Sequence, residues 1–375
     1  MKCTYCAKDV PDGLFCTWCG RKQVENSSRY AHYAAHPGEH VFQPGVLTTL
    51  FPHLAHHKIN EFRWALISGV ACVLLLDLAG LVAAALLCAA FLVPIIYMIY
   101  LYEAQVYRDE PATVLGFTIG GGIVLGIVVT IVVKATTGQV ALRTIYGDDS
   151  ATLLTLGLLV PLVQEVLKPL PALAIRSLGN FPERVDGLVF GVAAGLGFAI
   201  AETVIRFSTV LSDIPLHSEP ANWTYTLITV AVLLPLMHGS ATGAIAGALW
   251  RVKTGALGAR TWAILVLAAA SHVGFVLGSQ MLNDRKFSQL IILAWQTTIV
   301  GALLLVVRYM LHEALLEESV DMGFEHVLCS NCHHHVFAAK FCPNCGKSLA
   351  AMPARPARTN VKRRLAEPAS GLEVR

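Results

Sequence analysis

Long apolar segments separated by short polar stretches fill the chain between residues 62 and 312. An α-helix needs about 20 apolar residues to cross the roughly 30 Å hydrocarbon core of a bilayer, and it satisfies its own backbone hydrogen bonds there. The run 62–102 is about twice that length, so we divide it into two spans with a turn near residues 77–80. Six further segments follow: 112–134, 152–175, 185–207, 223–250, 260–282 and 287–311. The sequence therefore predicts an all-α polytopic membrane protein with about eight transmembrane helices in a membrane domain over 62–312.

Composition and charge agree with this prediction. Only 14% of the residues are charged, whereas soluble domains average about 25%. An even number of spans places both termini on one side, and the loops of that side carry most of the loop arginines and lysines, as is usual for the cytoplasmic side. These residues are Arg108, Arg176, Arg184, Arg251, Lys253 and Arg260. We therefore expect a multi-pass protein of the plasma membrane with both termini in the cytoplasm.

Two four-cysteine modules flank the membrane segments. Each has the pattern C-x2-C, nine residues, C-x2-C, formed by Cys3, Cys6, Cys16, Cys19 and by Cys329, Cys332, Cys342, Cys345. Four thiolates on two tight turns satisfy a tetrahedral Zn²⁺ ion with no open position, so such sites are structural. The metal then supplies the folding energy that a short module cannot obtain from a core. Disulfide-bonded loops are the alternative, and they need an oxidising compartment. The sequence predicts zinc ribbons over 1–23 and 325–349.

The other polar segments carry fewer signals. Residues 24–61 form a His-rich juxtamembrane segment, in which irregular histidine spacing argues against a further metal site, and residues 350–375 form a basic tail with few large apolar residues, typical of disorder. The ribbons contain few basic residues and the net charge is only +3, which disfavours nucleic acid as a partner. We expect the ribbons to bind protein partners and the spans to contact the lipid bilayer.

Four consecutive spans each contain a polar residue of catalytic type: Glu165, Glu202, His238 and His272. Ionisable residues inside a bilayer are costly, and they usually face a bundle interior or a water-filled cavity. A rise of about 1.5 Å per residue places the four side chains in overlapping layers, so we expect one shared site. Two ridges of glycine at four-residue spacing would let the helices around it approach closely. The ridges are Gly187, Gly191 and Gly195, and Gly239, Gly243 and Gly247.

Structural roles for these residues are the alternative. Glu165 lies three residues before Lys168, and Glu202 lies four residues before Arg206, so each can form an ion pair within its own helix. As a group, the carboxylates and imidazoles suit hydrolysis by an activated water molecule, with or without a zinc ion that keeps an open position. They also suit cation binding or proton relay in a transporter. The sequence contains no HExxH motif, which excludes a standard zincin.

Short motifs in these spans resemble those of the PrsW family of intramembrane proteases, relatives of the CAAX-processing and bacteriocin-processing membrane proteases. The motifs are QEVLK (164–168), GLGFAIAE (195–202), MHGSAT (237–242) and SHVGF (271–275), and the resemblance covers about 150–282. Against the family pattern of EExxK, FxxxE and later histidines, the matching residues are Glu165, Lys168, Phe198, Glu202, His238 and His272. The resemblance implies site-specific cleavage of a membrane-embedded protein substrate, such as an anti-sigma factor.

Two positions depart from the family pattern. Gln164 replaces the first glutamate and cannot act as a base, and Val276 stands four residues after His272, where relatives often have Asn or Asp.

We therefore expect an intramembrane endopeptidase with a protease-like core over 150–282. Glu202 and Glu165, with His238, would position and activate water or a metal ion, His272 would assist, and Lys168 would neutralise the carboxylates. A catalytically inactive membrane scaffold is one alternative. A proton- or cation-coupled transporter is another, although the spans show no internal repeat of the kind common in transporters.

Overall fold

The computed structural model of the protein describes residues 60–104, 111–137, 154–211 without Asn180 and Pro182, 225–250, 257–321 and 326–349. It also describes Cys3, residues 5–8, Val10, residues 15–21, Val41, Phe42 and Thr49. Most of the His-rich segment 24–61 and all of the tail 350–375 lie outside these residues. The chain divides into two compact units, one comprising Met1–His40 with Ser319–Arg375 and the other Val41–Glu318.

The described part of the second unit is helical throughout its membrane segments. Its α-helices are α1 (Asn60–Leu78), α2 (Val82–Ala104), α3 (Ala112–Thr137), α4 (Val160–Leu167), α5 (Leu170–Ser177), α6 (Arg184–Leu211), α7 (Leu234–Trp250), α8 (Ala259–Val273), α9 (Ser279–Asp284) and α10 (Gln289–Asp321). Three π-helical segments extend α4, α7 and α8: Thr155–Leu159, Leu227–Leu233 and Gly274–Gly278. The last of these joins α8 to α9 without a break in the helical chain.

Eight membrane segments were predicted, and about eight helices are present. Among the described residues, seven helical segments are long and apolar enough to cross a membrane, and a shorter apolar helix covers Trp64–Leu78. The run 62–102 divides as expected, because Gly80 adopts a positive φ of 73° between α1 and α2. Only glycine adopts such a φ at little cost. The all-α polytopic fold class is therefore confirmed.

Two helices form the centre of the membrane unit. In an 18-residue stretch within the span Arg184–Ile205 of α6, 83% of the residues are buried, and in an 18-residue stretch within Leu227–Trp250, which includes α7, 78% are buried. The glycine ridges predicted on these two helices are in contact. A Cβ atom added to Gly195 would lie 2.5 Å from the carbonyl oxygen of His238, and one added to Gly191 would lie 2.6 Å from Ala246 Cβ. The helix backbones therefore approach each other directly beside His238.

Helix α3 packs against α6 in the same way. A Cβ atom on Gly122 would lie 2.1 Å from the carbonyl oxygen of Ala194, and one on Gly197 would lie 2.2 Å from the carbonyl oxygen of Ile119. Neither approach leaves room for a methyl group, so glycine is required at both positions. Because Gly197 directly precedes Phe198 and lies five residues before Glu202, this contact fixes the part of α6 that bears the candidate site.

A methyl group at Gly122 is expected to destabilise the protein by about 1–3 kcal/mol, the usual cost of overpacking a tight contact. Gly120 is a matched control on the same helix, since no described atom lies within 4 Å of its added Cβ. Gly120→Ala should be neutral or slightly stabilising because alanine is the better helix former. Unfolding of both variants in mixed micelles measures the difference, and equal stability of the two would contradict the close packing of α3 on α6.

Helix α10 extends further than predicted. The sequence interpretation ended this span near residue 311, yet the helix continues to Asp321 and includes the acidic residues. No glycine or proline interrupts residues 302–321, and two of the acidic side chains form ion pairs within the membrane unit. Arg184 Nη1 lies 2.9 Å from Glu317 Oε1, and Arg260 Nη2 pairs with Glu313 Oε2. Partners on other helices thus favour the extra turns.

In the first unit, each cysteine module is a pair of tight turns. The C-terminal module also contains an antiparallel pair of strands, β1 (His326–Leu328) and β2 (His335–Phe337), in which Val327 lies opposite Val336. Cys3 and Cys16 are buried in the first module, and Cys329 and Cys342 are buried in the second. Among the described residues of each module, the buried apolar cluster contains, apart from the cysteines, only Val10 or Val336. Such small clusters cannot stabilise a fold without a metal or another crosslink.

Candidate active site

The candidate site begins where α4 ends. The sequence Lys168-Pro169-Leu170-Pro171 interrupts the helix, because a proline lacks the N–H that continues a helix and its ring clashes with the carbonyl group four residues earlier. Lys168 therefore lies at the C-terminal end of α4, and α5 restarts at Leu170. Glu165 and Lys168, three residues apart, lie one turn apart on the same face, and the break puts them at the end of the helix.

The structure brings the five predicted residues together. Glu165 and Lys168 come from α4 and its end, Glu202 from α6, His238 from α7 and His272 from α8. All five are buried, with exposed fractions between 0 and 4%. An ionised side chain so far from water needs hydrogen bonds or opposite charges as compensation, and the contacts below supply them.

Of the two carboxylates, Glu165 makes the shorter contacts. Its Oε1 atom lies 2.5 Å from Lys168 Nζ and 2.7 Å from His272 Nδ1. The same ammonium group lies 2.8 Å from His238 Nδ1. Lys168 thus connects a carboxylate of α4 to an imidazole of α7, and Glu165 connects the lysine to α8. The rings of His238 and His272 meet edge to face, with centroids 4.9 Å apart.

These contacts define the proton positions on both imidazoles. An ammonium group only donates hydrogen bonds and a carboxylate only accepts them. His238 Nδ1 therefore accepts from Lys168, and a neutral His238 carries its proton on Nε2. His272 donates from Nδ1 to Glu165, so a neutral His272 keeps its lone pair on Nε2. The two histidines are thus held in opposite tautomers by the same lysine–glutamate pair.

Glu202 lies on the other side of His238. Its Oε2 atom is 2.9 Å from His238 Nε2, and its Oε1 atom accepts a hydrogen bond from Gln164 Nε2 at 3.3 Å. Gln164, which the sequence interpretation treated only as a missing glutamate, is therefore a donor to the second carboxylate. Within the motif QEVLK, Gln164 thus contacts Glu202 and Lys168 contacts Glu165.

The predicted helix pairs are only partly observed. Glu165 does pair with Lys168, as the structural alternative proposed, but that pair is also bound to both histidines. The side chain of Arg206, the proposed partner of Glu202, lies outside the described residues.

Three of these residues could hold a metal ion. One ligand atom from each of Glu165, His238 and His272 lies within 4.8 Å of the other two. One oxygen of Glu165 also lacks a usual partner: within the described part of the chain, Glu165 Oε2 is buried and makes no hydrogen bond. A carboxylate with two imidazoles is a common ligand set of catalytic zinc. The residues therefore fit a metal ion, although the Lys168 ammonium group also binds two of them.

Aromatic and π-helical features surround the cluster. The Phe198 ring lies 5.5 Å from the ring of His238 and 5.9 Å from Lys168 Nζ, so it covers the site on the α6 side. The π-helical segment Gly274–Gly278 begins two residues after His272. Trp295 of α10 donates its indole N–H to the carbonyl oxygen of Gly274 at 2.9 Å. Such π-helical turns are frequent at functional sites.

A second buried contact, between Tyr97 and Ser240 hydroxyl groups at 3.1 Å, was not predicted and had no signal in the sequence.

The two four-cysteine clusters have the geometry of metal sites. In both modules the first and fourth sulfurs are 3.7 Å apart and the second and third are 3.8 Å apart. These distances exceed the roughly 2.05 Å of a disulfide bond and equal the edge of about 3.8 Å of a tetrahedron with Zn–S bonds of about 2.3 Å. Burial raises the pKa of the Cys342 thiol to about 12, so a metal ion must displace a proton there and its binding weakens as the pH falls.

In the comparisons with known proteins, one family model matches part of the chain. The sequence model of the PrsW family, described as intramembrane metalloproteases, matches residues 110–282. The match begins about 40 residues before the region that the motifs covered, because it includes α3, the helix that packs on α6 beside the site. No curated protein and no solved structure matches the chain.

Proposed function

Because residues 110–282 match the sequence model of the PrsW family of intramembrane metalloproteases, we propose that the buried cluster on α4, α6, α7 and α8 hydrolyses a peptide bond in a membrane-embedded protein substrate. The observation that supports this proposal most strongly is the joining of two carboxylates, two imidazoles and an ammonium group from four helices by direct contacts. A group of this kind inside a bilayer is rarely retained for packing alone.

Glu202 is the proposed general base. Its two oxygens face separate partners: Oε1 accepts from Gln164 Nε2 at 3.3 Å, and Oε2 lies 2.9 Å from His238 Nε2. Glu165, in contrast, is bound by Lys168 and His272 through one oxygen. Glu165 belongs to the group that could hold a metal ion, so the role of base is assigned to Glu202, and proton transfer to a positioned base is a common source of rate enhancement. Glu165 and Lys168 would then position the two histidines.

The metal ion that the family name implies would be held by Glu165, His238 and His272. A metal bound there would act as a Lewis acid toward the scissile carbonyl group. The residues of the chain have separate tasks: Glu202 takes the proton from water, Gln164 orients Glu202, and the buried setting excludes other water. We also propose that the ions of the two cysteine clusters are structural Zn²⁺, as the sulfur spacing favours.

A catalytically inactive membrane scaffold is a second candidate, because two observations favour it. Gln164 stands where the family pattern has a glutamate, and Lys168 already occupies hydrogen-bonding positions of Glu165 and His238. In this case the cluster would be a structural network that binds membrane segments without cleaving them.

Reconstitution with candidate single-span membrane proteins tests the proposed activity directly. The full chain in proteoliposomes should release two fragments whose new termini lie within the substrate's membrane segment. Binding without any cleavage, across substrates that the protein demonstrably retains, would favour the scaffold.

Metal analysis tests the ligand assignment separately. Glu165→Gln and His272→Ala are expected to remove the ion of the membrane cluster and to leave the ions of the cysteine clusters, because each deletes one ligand atom of three. Elemental analysis of the purified full chain measures the loss, and Glu313→Gln is the matched control, since Glu313 pairs with Arg260 outside the cluster. Equal metal content in all variants, with cleavage intact in the wild type, would overturn the metal site but not the protease.

A further inference from the structure

The two cysteine modules are equivalent in their backbones. In the first module Ala7 has φ 54° and Gly20 has φ 72°, and at the same places after their cysteines, His333 has φ 54° and Gly346 has φ 73°. The turn hydrogen bonds repeat as well: Gly20 N–H donates to Cys16 C=O at 2.9 Å, and Gly346 N–H donates to Cys342 C=O at 2.9 Å. The two modules are therefore copies of one small fold, separated in sequence by the whole membrane unit.

The copies are joined by reciprocal backbone hydrogen bonds. Phe15 N–H donates to Pro343 C=O at 3.1 Å, and Phe341 N–H donates to Thr17 C=O at 3.1 Å. Phe15 and Phe341 hold the same position in the two modules, directly before the third cysteine, and Thr17 and Pro343 hold the position directly after it. Contacts that repeat with the partners exchanged are the mark of a two-fold interface. Here the two-fold relation lies within one chain.

The phenylalanine rings reinforce this interface. A Cβ atom on Gly20 would lie 2.6 Å from the Phe341 ring, and one on Gly346 would lie 2.6 Å from the Phe15 ring. Each glycine is therefore needed twice, for its positive φ and for the room that it leaves to the opposite ring. The two rings cover equivalent turns, so the apolar contact is as reciprocal as the hydrogen bonds.

A cation–π contact also crosses the interface. Lys340 Nζ lies 3.9 Å from the centroid of the Trp18 ring, and Lys8 Nζ, from the same module as Trp18, lies 3.2 Å from it. Ammonium groups at such distances are attracted to an indole ring. Trp18 is therefore bound by one lysine of each module.

We propose that the two zinc ribbons are each other's binding partner and form one metal-dependent clasp in cis. The clasp depends on metal because the knuckles around each ion fix the backbone of the third and fourth cysteines, where Phe15, Thr17, Phe341 and Pro343 lie. It also places the segments before α1 and after α10 in the same compartment. The number of membrane crossings is then even, so α1, the short apolar helix, crosses together with the seven longer segments. This inference does not depend on the proteolytic activity.

Limited cleavage of the full chain tests the clasp. A specific protease site inserted between residues 323 and 324 allows the C-terminal ribbon to be cut from the membrane helices after purification. The cut ribbon should remain bound to the rest of the chain, and a chelator that removes zinc should release it. The double variant Phe15→Ala/Phe341→Ala should lower retention about tenfold or more, because aromatic anchors carry most of the energy of a small interface.

A second variant and two controls keep the test independent of folding. Lys340→Glu should also weaken retention while both ribbons keep their zinc, whereas Lys347→Glu, at an exposed lysine of the same ribbon, should not. If the cut wild-type ribbon is lost as readily as the double variant, the clasp does not exist. If it is retained only by a differently tagged second copy in a mixed preparation, the ribbons pair between molecules and the cis proposal is wrong.

The same purified chain, with one epitope tag at each end, tests the shared compartment. In sealed vesicles an added protease should remove either both tags or neither, depending on vesicle orientation. Removal of one tag alone would require an odd number of crossings and would overturn the clasp.

Discussion

Glu202→Gln is expected to slow cleavage of a membrane-embedded substrate about 10²–10⁴-fold, the usual range for loss of a general base. The substitution keeps the size of the side chain and an oxygen that can accept from Gln164 Nε2, which lies 3.3 Å from Glu202 Oε1. It removes the ability to take a proton from water, and the oxygen that lies 2.9 Å from His238 Nε2 becomes an amide nitrogen. Single-turnover cleavage in proteoliposomes is the measurement, since it excludes changes in product release.

Glu317→Gln is the matched control for this variant. It makes the same chemical change in a carboxylate that pairs with Arg184 at 2.9 Å, outside the cluster, so cleavage should stay near the wild-type rate. A Glu202→Gln protein that cleaves as fast as this control would show that another group is the base. Glu165 would then be the next candidate, and its two contacts through Oε1 would have to loosen before it could accept a proton.

The helices could be predicted from the sequence because a bilayer imposes a simple length rule. Apolar runs of about 20 residues can form little else than spanning helices, so the division of 62–102 at Gly80 and the fold class followed from length alone. The end of α10 did not follow, because its last turns lie beyond the apolar run. They depend on partners from other helices, Arg184 and Arg260, which a reading of one segment does not show.

Only part of the candidate site could be predicted, for a related reason. The free-energy cost of placing an ionisable side chain inside a bilayer draws attention to four residues of the apolar segments, because each is unfavourable there unless it has a partner. They are Glu165, Glu202, His238 and His272. The cost does not say which groups meet. The lysine between Glu165 and His238 and the amide that faces Glu202 are contacts between different helices, and the sequence of one span does not show which face it turns to its neighbours. Their catalytic roles therefore remain predictions.

The contact between the two ribbons lay outside sequence reasoning altogether. Identical cysteine spacing predicts two copies of a fold but gives no reason for them to meet, because the residues that pair are ordinary ones next to the ligands. Both modules share a phenylalanine before the third cysteine and a glycine after the fourth, F-C-x-x-C-G, at 15–20 and 341–346. The opposite neighbour of each glycine, Phe341 or Phe15, becomes evident only when both modules are present.

Lys168→Met is expected to destabilise the membrane unit by about 3–5 kcal/mol, the usual cost of leaving a buried charge without its partner. Lys168 is fully buried, and its Nζ atom lies 2.5 Å from Glu165 Oε1 and 2.8 Å from His238 Nδ1. Without the ammonium group, the carboxylate keeps its cost of burial and loses its counter-charge. Unfolding in mixed micelles gives the free-energy difference, and an Arg184→Met control should cost only about 0–1 kcal/mol because that ion pair is partly exposed.

A double-mutant cycle separates a specific pair from a general loss of packing. If Lys168 serves mainly to neutralise Glu165, the double variant Glu165→Gln/Lys168→Met should be clearly more stable than the sum of the single losses predicts, since it removes both charges together. Additive losses would mean that the two groups are not coupled and that the positive charge acts on something else, with Glu202 the nearest remaining carboxylate on the far side of His238. The contact at 2.5 Å argues for strong coupling, because two charges at that distance in a water-poor interior cannot be removed independently.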